Sequence, residues 1–253
     1  MTAFDAAVFQ AARRGRFGAD LRLHAVLGST QDEARRLDGV DGTVVLAESQ
    51  EAGRGRWGRH WQAAPGLSLL FTLRLKATAS GTLPLLLGLA TAEALRGLDV
   101  AARVKWPNDL WVGERKLGGF LLETDGPWVL AGCGLNVLQG EADFPPELRT
   151  SATSLHLQGL AWGREVLMAA ILGAWEKSLD EWSTAGFGPF LARFEAVDVL
   201  RGRPCRARSA GQDLKGQALG VDLSGALRLR LPDGEERLLQ SAEIELVRPS
   251  APD

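Results

Sequence analysis

Cysteine, histidine and lysine are scarce in this chain of 253 residues, and each scarcity removes a class of chemistry. The two cysteines, Cys133 and Cys205, and the three histidines, His24, His60 and His156, stand apart from one another. No spacing among them suits a structural zinc site, and no disulfide framework is available. A reducing cytoplasm is the compartment this predicts. No apolar run reaches the roughly 18 residues that a membrane helix needs. The N-terminal stretch also lacks the basic start and long apolar core of a secretory signal. Neither sign of charge is in excess: the formal net charge is -2, which argues against a protein whose main task is to coat nucleic acid or anionic membrane. With 45% hydrophobic and 24% charged residues, the chain is composed to bury a substantial core.

The expected organisation is a main α+β domain, residues 1–196, and a small all-β domain, residues 197–253. Residues 3–15 form at most one short helix, too little for a helix-turn-helix DNA reader. Residues 21–27 read as a strand. Thr30 and Glu33 stand at capping-box spacing, which starts a short helix running through residue 37. Strands follow over 43–48 and 66–75, and a helix over 82–98. The middle is rich in short strands (102–106, 110–112, 116–123 and 128–137), with Asp125-Gly126 as a hairpin signal between the last two. Helices are expected over 164–183 and 187–196. After that, short strands split by Gly and Asp turns have the character of a small β-barrel.

Three constellations carry candidate chemistry. Residues 53–61 read Gly-Arg-Gly-Arg-Trp-Gly-Arg-His-Trp, three glycines and three arginines with no acidic residue. Glycines let a backbone close on a ligand, and arginines suit carboxylates and phosphates. Gly53, Gly55 and Gly58 fit G-x-G-x-x-G, but loop and strand follow where the dinucleotide fingerprint requires a helix, and no acidic residue stands about twenty positions on. No Gly-Lys-Ser/Thr P-loop is present either. The second constellation is Lys105-Trp106-Pro107-Asn108-Asp109 with Lys116-Leu117-Gly118-Gly119 and Glu123, holding two of only five lysines in the chain. Lys105 falls at a strand end, with Asn108 and Asp109 at the turn. The third is Gly132-Cys133-Gly134-Leu135-Asn136, a small-residue strand ending in an amide.

Taken together, Gly-Arg-Gly-Arg-x-Gly-Arg, Lys-Trp-Pro-Asn-Asp, Lys-x-x-Gly-x-x-x-Glu and Gly-x-Gly-x-Asn resemble biotin protein ligase, the family of biotin–[acetyl-CoA carboxylase] ligation, over residues 20–248. Trp57 departs from the pattern, since many relatives carry a basic residue there. The chain also starts too close to the catalytic domain to hold the DNA-binding domain of regulatory members. The resemblance implies a mixed β-sheet flanked by helices (a class II synthetase-like catalytic domain) with a small C-terminal SH3-like β-barrel. It implies ATP and biotin as substrates, with Mg²⁺, and a biotin carboxyl carrier protein as partner. A monomer or homodimer is expected, with no nucleic-acid or membrane partner. Arg54, Arg56, Lys116 and Asp109 become the catalytic candidates, Asp109 to orient or deprotonate the incoming lysine. Ser29, Thr30, Gln31, Gln50, Gly53, Gly55, Trp61 and Gly119, with Arg54, Arg56 and Lys116, become the biotin-binding set. Arg56, Arg59, Trp61, Lys105, Asn108, Lys116 and Asn136 fall on the nucleotide side.

Each feature has a plainer reading. The basic loop alone is a solvated turn or an RNA-binding patch, and Lys105 and Lys116 are edge lysines that discourage aggregation. Ser29 and Thr30 serve as helix caps, Asp109 and Asn136 as turn formers. Trp162, Trp175 and Trp182 are core or interface residues, and Cys133 is a small buried residue. Competing functions are a lipoate or octanoate transferase, a nucleic-acid-binding regulator and a non-catalytic biotin-binding module. Because an acyl-adenylate hydrolyses readily, residues 53–63 are expected to be mobile without ligand and ordered with biotin or its adenylate. Limited proteolysis checks this: cleavage within 53–63 falls when biotin is added, and equal cleavage with and without it contradicts the lid.

Overall fold

The computed structural model describes residues 3–209 and 211–247. The main sheet has seven strands in the order β1-β2-β3-β7-β6-β5-β4. They are β1 (Leu21–Leu27), β2 (Val44–Gln50), β3 (Ser68–Lys76), β4 (Ala102–Lys105), β5 (Asp109–Val112), β6 (Arg115–Asp125) and β7 (Trp128–Asn136). β1 and β2 run parallel, linked by helix α2 (Thr30–Arg36), and the remaining pairs are antiparallel. The hairpin joining β6 to β7 turns on Gly126-Pro127, with Asp125 still paired to Trp128, so the turn lies one residue beyond the Asp125-Gly126 signal. Gly126 supplies the positive φ of 57° that the first seat requires.

The period of two in β3, β6 and β7 decides which side of the sheet is core. Phe71, Leu73, Phe120, Ala131, Cys133 and Leu135 join one large hydrophobic cluster with α3 (Leu83–Arg96) and α4 (Arg164–Ala185). At its centre Trp175 is fully buried, tilted against Phe71 at 5.5 Å and edge-on to Phe120 at 5.9 Å. Its indole N–H donates to Thr91 Oγ1 at 2.8 Å, so the buried donor is satisfied. Burying a side chain of this size contributes roughly 2–3 kcal/mol. Trp182 and Trp162 pack against the same cluster, in keeping with a core role for these tryptophans. The other face carries α2 over β2, β3 and β7, and leaves the remainder open.

The C-terminal part is a five-stranded antiparallel sheet, order β11-β10-β9-β8-β12, of the SH3-like kind. Its strands are β8 (Pro204–Ser209), β9 (Gln212–Val221), β10 (Leu227–Arg230), β11 (Glu236–Leu239) and β12 (Glu243–Leu246). It is fastened to the edge of the main sheet at β4. The N–H of Val104 donates to Val197 O at 2.9 Å and that of Val199 to Val104 O at 2.8 Å. Next in the chain, the Trp106 indole N–H donates to Gly225 O at 2.9 Å. The end of β4 is thus one of the ties that hold the small domain over the open face.

Asp198 sits in this joint, 1% exposed, with Oδ1 accepting the N–H of Leu200 and Oδ2 lacking a partner among the described residues. Burial pushes its carboxyl up from 3.8 to about 6. A raised carboxyl pKa means the fold favours the protonated form, so this contribution to stability is full below the unfolded value and is lost as pH rises through about 6. Asp198→Asn keeps the Oδ1 acceptor and removes the titration. Thermal melts of both proteins across this window give the check. The wild type loses melting temperature relative to the variant as pH rises, and parallel curves contradict the assignment.

Candidate active site

On the open face, the same alternation sets Gly132, Gly134 and Asn136 of β7 beside Gly119, Leu121 and Glu123 of β6. The absence of side chains at Gly132 and Gly134 is structural. A Cβ on Gly134 would lie 2.6 Å from the Trp61 ring, and one on Gly132 would lie 2.7 Å from the Gln31 amide. The indole and the amide therefore rest directly on bare backbone. Beneath the lid and the C-terminal sheet they help to enclose a cavity of about 750 Å³. Among the predicted residues, only Ser29 and Gly53 stay out of its lining.

Helix α2 delivers the first group. Ser29, not Thr30, is its N-cap: Ser29 is extended (φ -156°) and its Oγ accepts the N–H of Gln31 at 3.3 Å. The C-terminal carbonyls of Ala34 and Leu37 accept from Arg74 of β3 at 2.8 and 2.7 Å, which pins the helix to the sheet. Thr30 is thereby set against Gln50, whose Oε1 accepts from the Thr30 N–H at 2.7 Å and from its hydroxyl at 3.1 Å. Gln31 donates to Leu121 O at 2.7 Å, while its Oε1 is buried with no partner among the described residues. The Trp61 indole N–H is unpartnered in the same sense. The wall thus offers one orphan acceptor and one orphan donor.

The basic loop forms a miniature hairpin between β2 and β3. The Gly55 N–H donates to Arg59 O at 2.7 Å and the Trp61 N–H to Gly53 O at 2.9 Å. A Cβ on Gly53 would lie 2.6 Å from Trp61 O, so this glycine lets the two arms of the loop close on each other rather than wrapping a ligand. At the tip, Trp57 (φ 60°) and Gly58 (φ 70°) are both left-handed, the pairing of a turn that ordinarily takes Asn-Gly. Seating a tryptophan there costs roughly 1–2 kcal/mol.

The three arginines of the loop have different fates. Arg54 makes a fork to Asp32 at 2.7 and 2.8 Å and approaches Glu123 at 3.4 Å. The hydrogen-bonded Asp32 raises the Arg54 pKa, and Arg54 in turn lowers that of Asp32. Through Asp32 and Glu123, Arg54 braces the loop on α2 and β6 while still lining the cavity. Arg59 pairs with Glu243 of β12. Among the described residues Arg56 hydrogen-bonds to neutral partners, Ser241 Oγ at 2.6 Å and Asn108 Oδ1 at 3.4 Å; desolvation lowers its pKa against the pull of Asp109 and Glu243.

Lys116 and Asp109 form an ion pair at 2.7 Å, and Gly119 leaves the room for it, since a Cβ there would lie 3.2 Å from Asp109 Oδ1. Lys105, at the end of β4, donates to Ile244 O at 2.8 Å and lies 4.7 Å over Trp111. Burial lowers its pKa, with no carboxylate in ion-pair contact. Asn108 donates to Phe120 O at 2.6 Å. The Asn136 amide donates to Thr153 O at 3.0 Å and accepts from Gln139 at 3.2 Å, which anchors the segment after β7 at the cavity wall. Cys133 is buried in the wall with its thiol pKa pushed well up by desolvation, unsuited to act as a nucleophile.

Residue-level reading missed Ser241 and Glu243, which reach the loop from some 180 positions away. It also gave no role to Glu123, although that residue closes the Lys-x-x-Gly-x-x-x-Glu motif. As the partner of Arg54 and Arg35, it explains why the motif ends on an acid.

Residues 26–136 match the model of the biotin/lipoate A/B protein ligase family, and residues 201–247 match the biotin protein ligase C-terminal domain. The biotin–[acetyl-CoA-carboxylase] ligase of Paracoccus denitrificans is 36% identical over 85% of this chain and 96% of that protein. The chain belongs to the biotin protein ligase family. The bifunctional ligase/repressor BirA of Bacillus subtilis is 35% identical over 90% of this chain and 74% of that protein. Among solved structures, the biotin protein ligase of Aquifex aeolicus in complex with biotin and ATP superposes with a TM-score of 0.83 at 27% identity, covering 91% of this chain and all of that one. In this scaffold the Trp61 ring packs against Gly134 too closely for a side chain there. Gly134→Ala is expected to cost about 1–3 kcal/mol through overpacking, and the cost to fall towards zero in a Trp61→Ala background. Denaturant melts of the four proteins decide it; additive losses contradict the contact.

Proposed function

We propose that this chain catalyses cytoplasmic biotin–[acetyl-CoA carboxylase] ligation in two steps. A carboxylate oxygen of biotin attacks the α-phosphorus of ATP; the bond to the bridging oxygen breaks, giving biotinyl-5'-AMP and pyrophosphate. The ε-amine of one carrier lysine then attacks the acyl carbon, and AMP leaves as the nitrogen gives up a proton. In this reading residues 1–196 are the biotin/ATP-binding catalytic domain and residues 197–253 the small C-terminal β-barrel domain, their outermost ends lying outside the described residues.

The observation that carries the reading is Arg56, held half-buried by an amide and a hydroxyl and left without a carboxylate. Two anions must approach each other in the first step, and a fixed guanidinium with no ion-pair partner among the described residues offsets their repulsion. Lys116 adds a second charge at the α-phosphate. While it engages phosphate, its partner Asp109 is released to orient the incoming amine and accept its proton. Thr30, Gln31 and Gln50 suit the ureido ring of biotin, since an orphan acceptor at Gln31 needs a donor such as a ureido N–H. Lipoate has no such group, which favours biotin on the same scaffold. Ser29 acts through its cap, and Trp61 covers the ring. Arg59, Lys105 and Asn108 lie on the nucleotide side of the cavity, with Asn136 shaping its wall.

Magnesium keeps most of its waters and takes one or two carboxylates with substrate phosphates. Asp109 on the cavity wall suits that need, and among the described residues no cluster of three or more acidic, His or Cys groups offers a protein-only cage. Bound there, the ion would supply charge neutralisation at the phosphates. None of the described helices is long and apolar enough to cross a membrane.

Biotin-dependent pyrophosphate release without carrier tests the assignment. Arg56→Ala and Lys116→Ala are each expected to lower the adenylation rate by about 10²- to 10³-fold. Arg54→Ala, having lost a brace rather than a reacting charge, falls less. An Arg56→Ala enzyme within a few-fold of wild type contradicts the role of Arg56.

A further inference from the structure

Trp57 occupies the tip of the lid under two handicaps. Its backbone holds φ 60° and ψ 29°, a left-handed seat that suits Asn or Gly, and its side chain is 62% exposed, so burial does not compensate. The side chain lines the mouth of the cavity, with the Arg56 guanidinium 5.3 Å from its ring on one side. No step of the proposed chemistry needs it: the wall behind the biotin ring is supplied by Trp61, and the charges by Arg56 and Lys116. A strained, exposed aromatic at the rim of a site that must receive a protein lysine matches what an interface anchor requires.

We propose that Trp57 is a docking contact for the acceptor carrier domain, seating on an apolar patch beside the lysine that receives the acyl group. This rests on the ligase reading above and names the surface that second-step recognition uses. The location is dictated by reach. A lysine ammonium stands only a few ångströms beyond its own backbone, so the surface carrying it must touch the rim of the cavity, where Trp57 is the exposed aromatic of the lid. With Arg56 backing one face of the indole, the other face and the edge remain for a partner.

Trp57→Gly and Trp57→Asn suit the left-handed seat, so the turn is kept and the anchor alone is removed. Three rates are measured on full-length protein: biotin-dependent pyrophosphate release, release of the biotinyl group to hydroxylamine, and transfer to an intact carrier domain. The first two are expected to fall together and by no more than a few-fold, since the ring packs on Arg56, while KM for the carrier rises by about tenfold or more, the loss that accompanies removal of an anchoring aromatic. Trp57→Phe is expected to keep most of the carrier affinity. A carrier KM within twofold of wild type in both variants overturns the proposal. A rise in KM for ATP in place of carrier also overturns it, by assigning the ring to the nucleobase. Absence of adenylation in the wild type would instead refute the ligase reading itself.

Discussion

An arginine that the fold half-buries without giving it a carboxylate is the feature on which the candidate site turns. Arg56 accepts the desolvation cost for the company of Ser241 and Asn108, both neutral. At an effective dielectric of about 20, a unit charge 4 Å away interacts with such a guanidinium by about 4 kcal/mol, enough to matter when two anions have to be brought into contact. The neighbouring cations are treated differently: Arg54 is neutralised by Asp32 and Glu123, Arg59 by Glu243, and Lys116 by Asp109. Among the described residues the loop therefore divides its arginines into two that are ion-paired and one, Arg56, that is held by neutral groups, a division that composition alone cannot express.

The scaffold that holds this arrangement follows from strand alternation. On one face β3, β6 and β7 present Phe71, Phe120 and Leu135 to the core around Trp175; on the other, β6 and β7 present glycines. A side chain at Gly134 would displace Trp61 and one at Gly132 would displace Gln31, so the wall is shaped by what is left out. The C-terminal sheet completes the enclosure because it is tied at β4 through Val104 and Trp106, next to Lys105 in sequence. Strand end, candidate cleft and domain joint thus share three consecutive residues of chain, Val104 to Trp106.

Much of this is legible in sequence because it is local. Alternation placed the strands, and Lys105 and Asn108 fell at the strand end and turn that the proline sets, whereas Asp109, expected on the turn, opens β5 opposite Lys105. Other parts are not local. Whether Thr30 or Ser29 caps α2 depends on which residue is extended, and both carry a hydroxyl. The neutralisation of Arg54 needs α2 and β6 to arrive beside the loop, across 22 and 69 positions of chain. Glu243 opens an edge strand that reads as an ordinary piece of small β-domain, with Ser241 just before it; the docking of that domain on the main sheet brings them to Arg56 and Arg59. The motif glycines showed that something approaches closely, without showing that Trp61 and Gln31 are what does.

The most direct measurement is to incubate the protein with biotin, Mg-ATP and an intact biotin carboxyl carrier domain and to weigh the carrier by mass spectrometry. The account predicts a mass increase of one biotinyl group, located on a single lysine and dependent on both biotin and ATP. A carrier that stays unmodified in the presence of folded protein, or that is labelled equally well without ATP, would contradict it.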